Sequence, residues 1–106
     1  GRVKIIGGLS RFYCNIVAGS ATIDIGNQAY VNTSGDTVAE DVDSMVDGLD
    51  VDTAGYFTME GNTAAQKLLG GNHKFDSKDG VVIQIKSIAA LANDDDVDGV
   101  ITYVLD

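Results

Sequence analysis

An aspartate-rich segment near the end of the chain has the residue types and spacing of a cation-binding loop. Alternate carboxylates followed by a glycine form the first half of a calcium loop, because calcium takes several oxygen ligands and glycine permits the sharp turn. Here they are Asp94, Asp96 and Asp98, followed by Gly99. The twelfth position, where such loops carry a bidentate glutamate, is Leu105. The pattern therefore predicts a solvated turn between two strands, with at most weak calcium binding at the three aspartates.

Residues that could support catalysis are sparse. The single histidine, His73, lies in a Gly-Gly-Asn-His-Lys context that is typical of an exposed turn. Ser10 and Cys14 belong to no recognisable nucleophile motif, and catalysis needs a nucleophile, a base and an orienting group together. Because Cys14 is the only cysteine and lies in an apolar run, we predict a buried structural thiol and no internal disulfide. The sequence predicts a protein that is not an enzyme and has no cofactor apart from weakly bound calcium.

The composition is that of one small acidic domain. A chain of 106 residues has the size of a single domain, 1–106. Sixteen acidic residues against seven basic ones give a net charge of −9, which repels nucleic acid. No apolar run approaches the ~20 residues of a membrane-spanning helix, and no export signal is visible. We expect a soluble protein with neither nucleic acid nor a membrane as a partner.

The spacing of the apolar residues predicts an α+β fold, a mostly antiparallel β-sheet with one main amphipathic helix and one short helix. Apolar residues at i, i+4, i+7, i+8 and i+11 predict the main helix over 37–47, begun by Asp36 and ended by Gly48. The short helix is predicted over 63–69, and Gly26–Asn27 predicts a hairpin turn. The apolar residues of the main helix are Val38, Val42, Met45, Val46 and Leu49.

Strands are predicted over 55–59, 81–88 and 100–105. The last two carry apolar side chains on both faces, which fits central strands or strands covered by another molecule. The four tyrosines and three phenylalanines are spread over several strands, where they can serve a core or an interface. Assembly with other chains is therefore the function class that the sequence favours.

The predicted main helix has an acidic face. Asp36, Glu40, Asp43 and Asp47 follow one another at spacings of four, three and four, which lie on one side of a helix, where like charges repel. No lysine or arginine occurs between residues 15 and 66 to relieve this repulsion. Solvation of the face is one interpretation. The other is an interface, in which Glu40, Asp43 and Asp47 meet a basic surface on a partner subunit or on a second copy.

In its size, acidity, single cysteine and short strands with a small helix, the chain resembles the small decoration or cement proteins that stud the outside of tailed-phage capsids. The resemblance is one of overall profile and transfers no site residue. It implies a structural protein of the virion surface that binds at junctions between capsid subunits, as a monomer or trimer, and strengthens the shell. Two alternatives stay open, a calcium-assisted binding module with carbohydrate as one candidate ligand, and an accessory subunit of a cellular assembly.

Overall fold

The regular structure of the described residues is almost entirely β-strand. A computed structural model describes residues 1–15, 22–50, 55–60, 72–87 and 96–106. In these ranges there is no helix long and apolar enough to cross a membrane. The one helical element that they contain is the 3-10 turn Gly7–Leu9. The described strands are β1 (Arg2–Ile5), β2 (Arg11–Asn15), β3 (Thr22–Asn27), β4 (Tyr30–Val31), β5 (Thr37–Val38), β6 (Asp41–Asp50), β7 (Gly55–Thr58), β8 (Lys74–Asp76), β9 (Ile83–Ser87), β10 (Asp96–Val100) and β11 (Tyr103–Leu105).

The first and last described segments pair with each other along a bent ribbon. β1 pairs with β11 and β2 with β10, all antiparallel. Residues 6–10 separate the first two strands and residues 101–102 the last two, so the ribbon bends once. β8 and β7 complete two three-stranded sheets, in the orders β11–β1–β8 and β10–β2–β7. A third sheet has the order β6–β3–β9, and β4 with β5 forms a short hairpin.

Ser10 holds the bend in the ribbon. Its side chain is fully buried, and its hydroxyl donates to the Ile6 carbonyl oxygen at 2.9 Å and accepts from the Thr102 N–H at 3.0 Å. The Thr102 hydroxyl in turn donates to the Leu9 carbonyl oxygen at 2.9 Å. These bonds satisfy polar groups that the bend removes from the strand ladder. Ser10 therefore has a structural role in the fold.

One hydrophobic core joins the three larger sheets. Cys14 is buried within it, which confirms the predicted structural thiol, and burial raises the pKa of that thiol. Alternate residues of β2 point inward, as the period of a strand requires. The buried apolar residues are Ile5, Phe12, Cys14, Ile23, Ile25, Met45, Val46, Met59 and Phe75.

The predicted α+β class is wrong, because the segment predicted as the main helix is strand. Residues 37–38 form β5 and residues 41–50 form β6, which pairs with β3. The predicted short helix over 63–69 lies outside the described residues. Of the three predicted strands, the first two are confirmed by β7 and β9, whereas 100–105 is divided by the bend at residues 101–102.

Bulges in β6 explain why its sequence has the spacing of a helix. Ile25 pairs with Val46 and Ile23 pairs with Leu49, so two steps along β3 correspond to three steps along β6. A bulge shifts the two-residue period of a strand, and side chains three apart then face the same side. The bulge contains Gly48, which has a positive φ of 65°. Its N–H donates to the Asp24 carboxylate at 2.7 Å. Gly48 therefore serves a bulge and does not end a helix.

The two turn predictions around this region also change. Gly26 and Asn27 do not form a hairpin turn, because both lie inside β3 between β6 and β9. The chain turns instead at residues 32–36, where the Asn32 side-chain oxygen accepts from the backbone N–H groups of Ser34 and Asp36. Asp36 therefore belongs to the turn between β4 and β5 and begins no helix.

Candidate functional site

Strand β11 has large apolar side chains exposed to solvent. Leu105 is 81% exposed and Tyr103 is 59% exposed. In the sheet order β11–β1–β8 the strand lies at an edge, and among the described strands its one neighbour is β1. Exposed apolar edges are sites at which another strand can add to a sheet. β11 is therefore the first candidate contact surface of this chain.

The backbone of β11 offers hydrogen-bonding groups to a further strand. The Asp106 N–H donates to the Arg2 carbonyl oxygen at 3.0 Å, so the backbone hydrogen-bonding groups of Asp106 point toward β1. Bonding in an antiparallel pair alternates from one residue to the next. The N–H and C=O groups of Val104 therefore also point toward β1, whereas those of Tyr103 and Leu105 point away from it, to the outer edge of the sheet. These two donors and two acceptors have no backbone partner in the part of the chain that the structure describes.

An apolar groove of about 480 Å³ runs beside β11. Leu105 is paired with Val3 and Tyr103 with Ile5 across the β1–β11 ladder, so these four side chains share one face of the sheet. The core residues Ile5 and Phe75 form part of the groove lining. A side chain that enters the groove would therefore contact the hydrophobic core directly. The other apolar lining residues include Val81, Ile83 and Ile101.

A second candidate surface is the outer face of the β10–β2–β7 sheet. Tyr13 of β2 is the cross-strand partner of Tyr56 of β7, with ring centroids 5.0 Å apart and ring planes inclined by 55°. Tyr56 is 78% exposed and Tyr13 is 37% exposed. A shallow depression of about 280 Å³ lies beside the rings, with Arg11 and Asp98 in its lining. This face combines aromatic surface with a cation and a carboxylate.

The structure separates the three residues of the predicted acidic interface. Glu40 lies before β6, and its carboxylate accepts from the Gln84 amide at 3.3 Å. Asp43 lies near Asp41 and Asp47, and its pKa is raised by a side-chain hydrogen bond with Asp41, then by burial and by repulsion from Asp47. The acidic group of β6 is therefore Asp41, Asp43 and Asp47. An interface at Glu40, Asp43 and Asp47 stays a prediction.

We expect Asp43→Asn to stabilise the fold at neutral pH. Because the pKa of Asp43 is raised above its ordinary value of 3.8, its contribution to stability is full below that value and is lost as pH rises through the folded-state pKa. The gain in unfolding free energy at pH 7 and low salt should be only about 0.3 kcal/mol, because water screens the charge of this largely solvated carboxylate. Urea denaturation at pH 7 and pH 3, with and without 1 M salt, measures it.

Asp79→Asn is the matched control for this prediction, because Asp79 is an exposed aspartate in the bend that follows β8. The gain from Asp43→Asn should shrink at pH 3 and in high salt, and the control should show no such pattern. An equal gain in both variants at neutral pH would mean that reduced net charge, not the group around Asp43, is responsible.

Two of the three candidate calcium ligands lie in a strand and not in the predicted turn. Asp96 and Asp98 lie in strand β10 and are exposed on one face, while Asp94 lies outside the described residues. Gly99 also belongs to the strand, where a Cβ atom would lie 2.3 Å from Cδ1 of the Phe12 ring. In the described ranges no three His, Cys, Asp or Glu side chains are placed to hold a metal ion. Calcium binding at Asp94, Asp96 and Asp98 stays a prediction.

His73 is half-buried, although its sequence context predicts exposure. Its ring lies 4.5 Å from the Phe75 ring, and its carbonyl oxygen accepts from the Ile5 N–H at 2.7 Å. Burial lowers the pKa of the imidazole, and the buried Nδ1 has no hydrogen-bond partner among the described residues. These contacts give His73 a packing role beside β1.

The two candidate surfaces depend on pairings between distant parts of the chain. β11 pairs with β1, and Tyr13 meets Tyr56, so neither surface is apparent from local sequence. The one sequence signal was the run of apolar residues on both faces of 100–105.

Comparison with known proteins gives no match. No protein-family model, no curated protein and no solved structure matches the chain. Over the described residues, the geometry is that of a nearly all-β chain with an apolar edge strand that no second described strand covers.

Proposed function

We propose that this chain is a structural protein that binds a larger assembly of other subunits, as capsid decoration proteins do, by adding β11 to a strand of a shell subunit. The observation that supports the proposal is the exposure of Leu105 and Tyr103 on an edge strand. The acidity and the single cysteine of the decoration-protein profile are features of this chain, whereas its predicted main helix is strand. The proposal therefore depends on the edge and not on the profile alone.

Strand addition would use both the outward backbone groups of β11 and the apolar groove beside it. The outward N–H and C=O groups of Tyr103 and Leu105 would bond the backbone of the incoming strand, which gives affinity. Alternate side chains of that strand would enter the groove beside Val3 and Ile83, which gives specificity. Edge strands in monomeric proteins are commonly protected by charged residues or proline, and Tyr103–Leu105 contains neither. An added strand would remove this apolar surface from water.

Charge favours a subunit of another kind over a second copy. Each chain carries a net charge of −9, so two copies brought together repel each other. The charged groups near β11 include both signs. Arg2 Nε lies 3.9 Å from Asp76 Oδ2, and Lys74 Nζ lies 3.7 Å from Asp106 Oδ2. The edge itself is therefore locally balanced, and it is the rest of the molecule that opposes self-association. We accordingly assign the edge to a less acidic shell subunit.

The proposal requires that a phage carries the coding sequence, and the test mixes emptied shells of that phage with the purified chain. We expect the chain to co-sediment with the shells and to raise their temperature of disruption, because a ligand that binds only the intact shell stabilises it. Leu105→Glu should abolish co-sedimentation, since it places a charge in the apolar contact. Val82→Glu is the matched control, because Val82 is also an exposed apolar residue, at 57%, but does not line the groove.

Hydrogen exchange locates the contact within β11. On shell binding, the amides of Tyr103 and Leu105 should become protected, whereas the Val104 amide, already directed at β1, should change little. Co-sedimentation without this alternating pattern would contradict strand addition. If wild-type chain fails to co-sediment with the shells, or if Leu105→Glu binds as well as Val82→Glu, the decoration function at this edge is wrong.

A further inference from the structure

We propose that the outer face of the β10–β2–β7 sheet is a binding site for a neutral saccharide, with Tyr56 and Tyr13 as stacking surfaces and Arg11 and Asp98 as hydrogen-bonding groups. This site is separate from the β11 edge and goes beyond the decoration function. Nothing in it depends on shell binding. The proposal stands on which side chains the strand pairing brings to one face and on the shape of the depression between them.

Strand register places these side chains together. Phe12 of β2 points into the core, so Arg11 and Tyr13 point outward. Across the sheet, Asp98 is opposite Tyr13 on one side and Tyr56 is opposite it on the other. A carboxylate and two aromatic rings therefore form one row. Arg11 lies in the next row, between Val100 and Thr58.

The chemistry of this face matches that of a sugar ring. One side of a pyranose presents C–H bonds with partial positive charge, which favour the negative face of an aromatic ring. Its rim carries hydroxyl groups, each of which can donate and accept. The Arg11 guanidinium can only donate and the Asp98 carboxylate can only accept, so the two together complement neighbouring hydroxyls. Stacking of the sugar on the tyrosine rings would supply contact area, and the two charged groups would fix the orientation of the sugar.

The dimensions favour one or two sugar units over a protein partner. The depression of about 280 Å³ is slightly smaller than the roughly 300–1,000 Å³ of typical drug-sized ligand sites. Its lining consists of Arg11, Tyr13, Tyr56, Asp98, Gly99 and Val100, whereas a stable protein interface takes about 20–30 residues a side. The depression is also shallow, which allows the rest of a longer saccharide to continue past it.

Charge selects a neutral ligand. The chain carries a net charge of −9, and Asp96 and Asp98 both lie exposed on this face, which disfavours acidic sugars and phosphates. Arg11 in the same depression disfavours a cationic ligand such as a quaternary ammonium group. A neutral polyhydroxylated ring avoids both penalties.

The experiment is native electrophoresis of the full chain in gels containing amylose, mannan, xylan or galactan, with polygalacturonate as the acidic comparison. We expect retardation in at least one neutral gel and less in polygalacturonate. Tyr56→Ala should weaken that binding about tenfold, and Tyr56→Phe, which keeps the ring, should retain it. Tyr103→Ala is the matched control, because Tyr103 is an exposed tyrosine on the groove and should bind as wild type. Circular dichroism verifies that each variant is folded.

A second readout places the ligand on the face. Titration with an oligosaccharide of the retarding polymer should shift the amide signals of Tyr13, Tyr56 and Asp98 and leave those of β11 unchanged. The proposal is overturned if no neutral gel retards the wild type, if Tyr56→Ala and Tyr103→Ala weaken binding equally, or if polygalacturonate retards most strongly. Loss of shell binding in Tyr56→Ala, without any saccharide binding by the wild type, would assign the face to a protein and would also overturn it.

Discussion

Gly26→Ala should unfold the protein or cost at least about 3 kcal/mol of unfolding free energy, a loss near the upper end of what single substitutions cause. Gly26 lies in β3 where β6 crosses most closely. A Cβ atom there would lie 2.0 Å from the Asp41 carbonyl oxygen and 2.3 Å from the carbonyl carbon of Val42. Both atoms are backbone, so no rotamer change can relieve the contact. β6 would have to move away from β3 and would expose the core between them.

Gly55→Ala is the matched control, because Gly55 also lies in a strand, β7, and a Cβ atom there meets no atom of the described residues within 4 Å. We expect the control to alter stability by no more than about 1 kcal/mol. Urea denaturation followed by far-ultraviolet circular dichroism measures both variants. If Gly26→Ala unfolds at the same urea concentration as Gly55→Ala, then β6 does not pass over Gly26 as described, and the β3–β6 register is wrong.

Gly26 also shows why a sequence signal for a turn can mislead. Gly-Asn between two apolar runs favours a hairpin, because glycine accepts the backbone angles of a tight turn. A strand that another backbone approaches closely needs glycine as well, since it has no side chain to obstruct the approach. Sequence alone cannot separate these two reasons. The structure does so, because the atoms nearest to Gly26 belong to β6 and not to a turn.

The predicted helix over 37–47 failed for a related reason. The apolar spacing in β6 is that of a helix, but it arises from bulges, which sequence periodicity cannot represent. Residue type gave the better signal. Val38, Val42 and Val46 are β-branched and favour strands, while the intervening residues include two aspartates, which are poor helix formers. Where the spacing of apolar residues and the residue types disagree in a short segment, the residue types are the better guide to whether it forms a helix or a strand.

The candidate surfaces could be predicted only in part. The apolar residues of 100–105 indicated either a central strand or a strand covered by another molecule, and the structure places Tyr103 and Leu105 at an exposed edge. The aromatic face could not be predicted, because Tyr13 and Tyr56 lie 43 positions apart and meet only through the pairing of β2 with β7. Long-range strand pairing is the information that the local pattern lacks. The same pairing decides which polar residues surround the two rings.

Met45→Ala should cost about 2–5 kcal/mol of unfolding free energy, the range measured for removing a large buried side chain. Met45 of β6 is fully buried, and it is adjacent to Val46, which is buried as well. Side chains of a regular strand alternate between faces, so two consecutive buried residues need either a cover on both faces, as in β3, or a bulge. The bulged register of β6 makes this arrangement possible, and Met45 then belongs to the core that joins the sheets. Truncation would leave a cavity there.

Two comparisons separate loss of packing from other effects of the Met45 substitution. Met45→Leu nearly conserves volume and should cost less than about 1.5 kcal/mol. Val82→Ala, at an exposed position, should stay within about 0.5 kcal/mol of wild type. Urea denaturation should show a lower midpoint for Met45→Ala with an unchanged slope, since the surface exposed on unfolding is nearly the same. If Met45→Ala costs no more than Val82→Ala, then Met45 does not point into the core, and the bulged register that places it there must be revised.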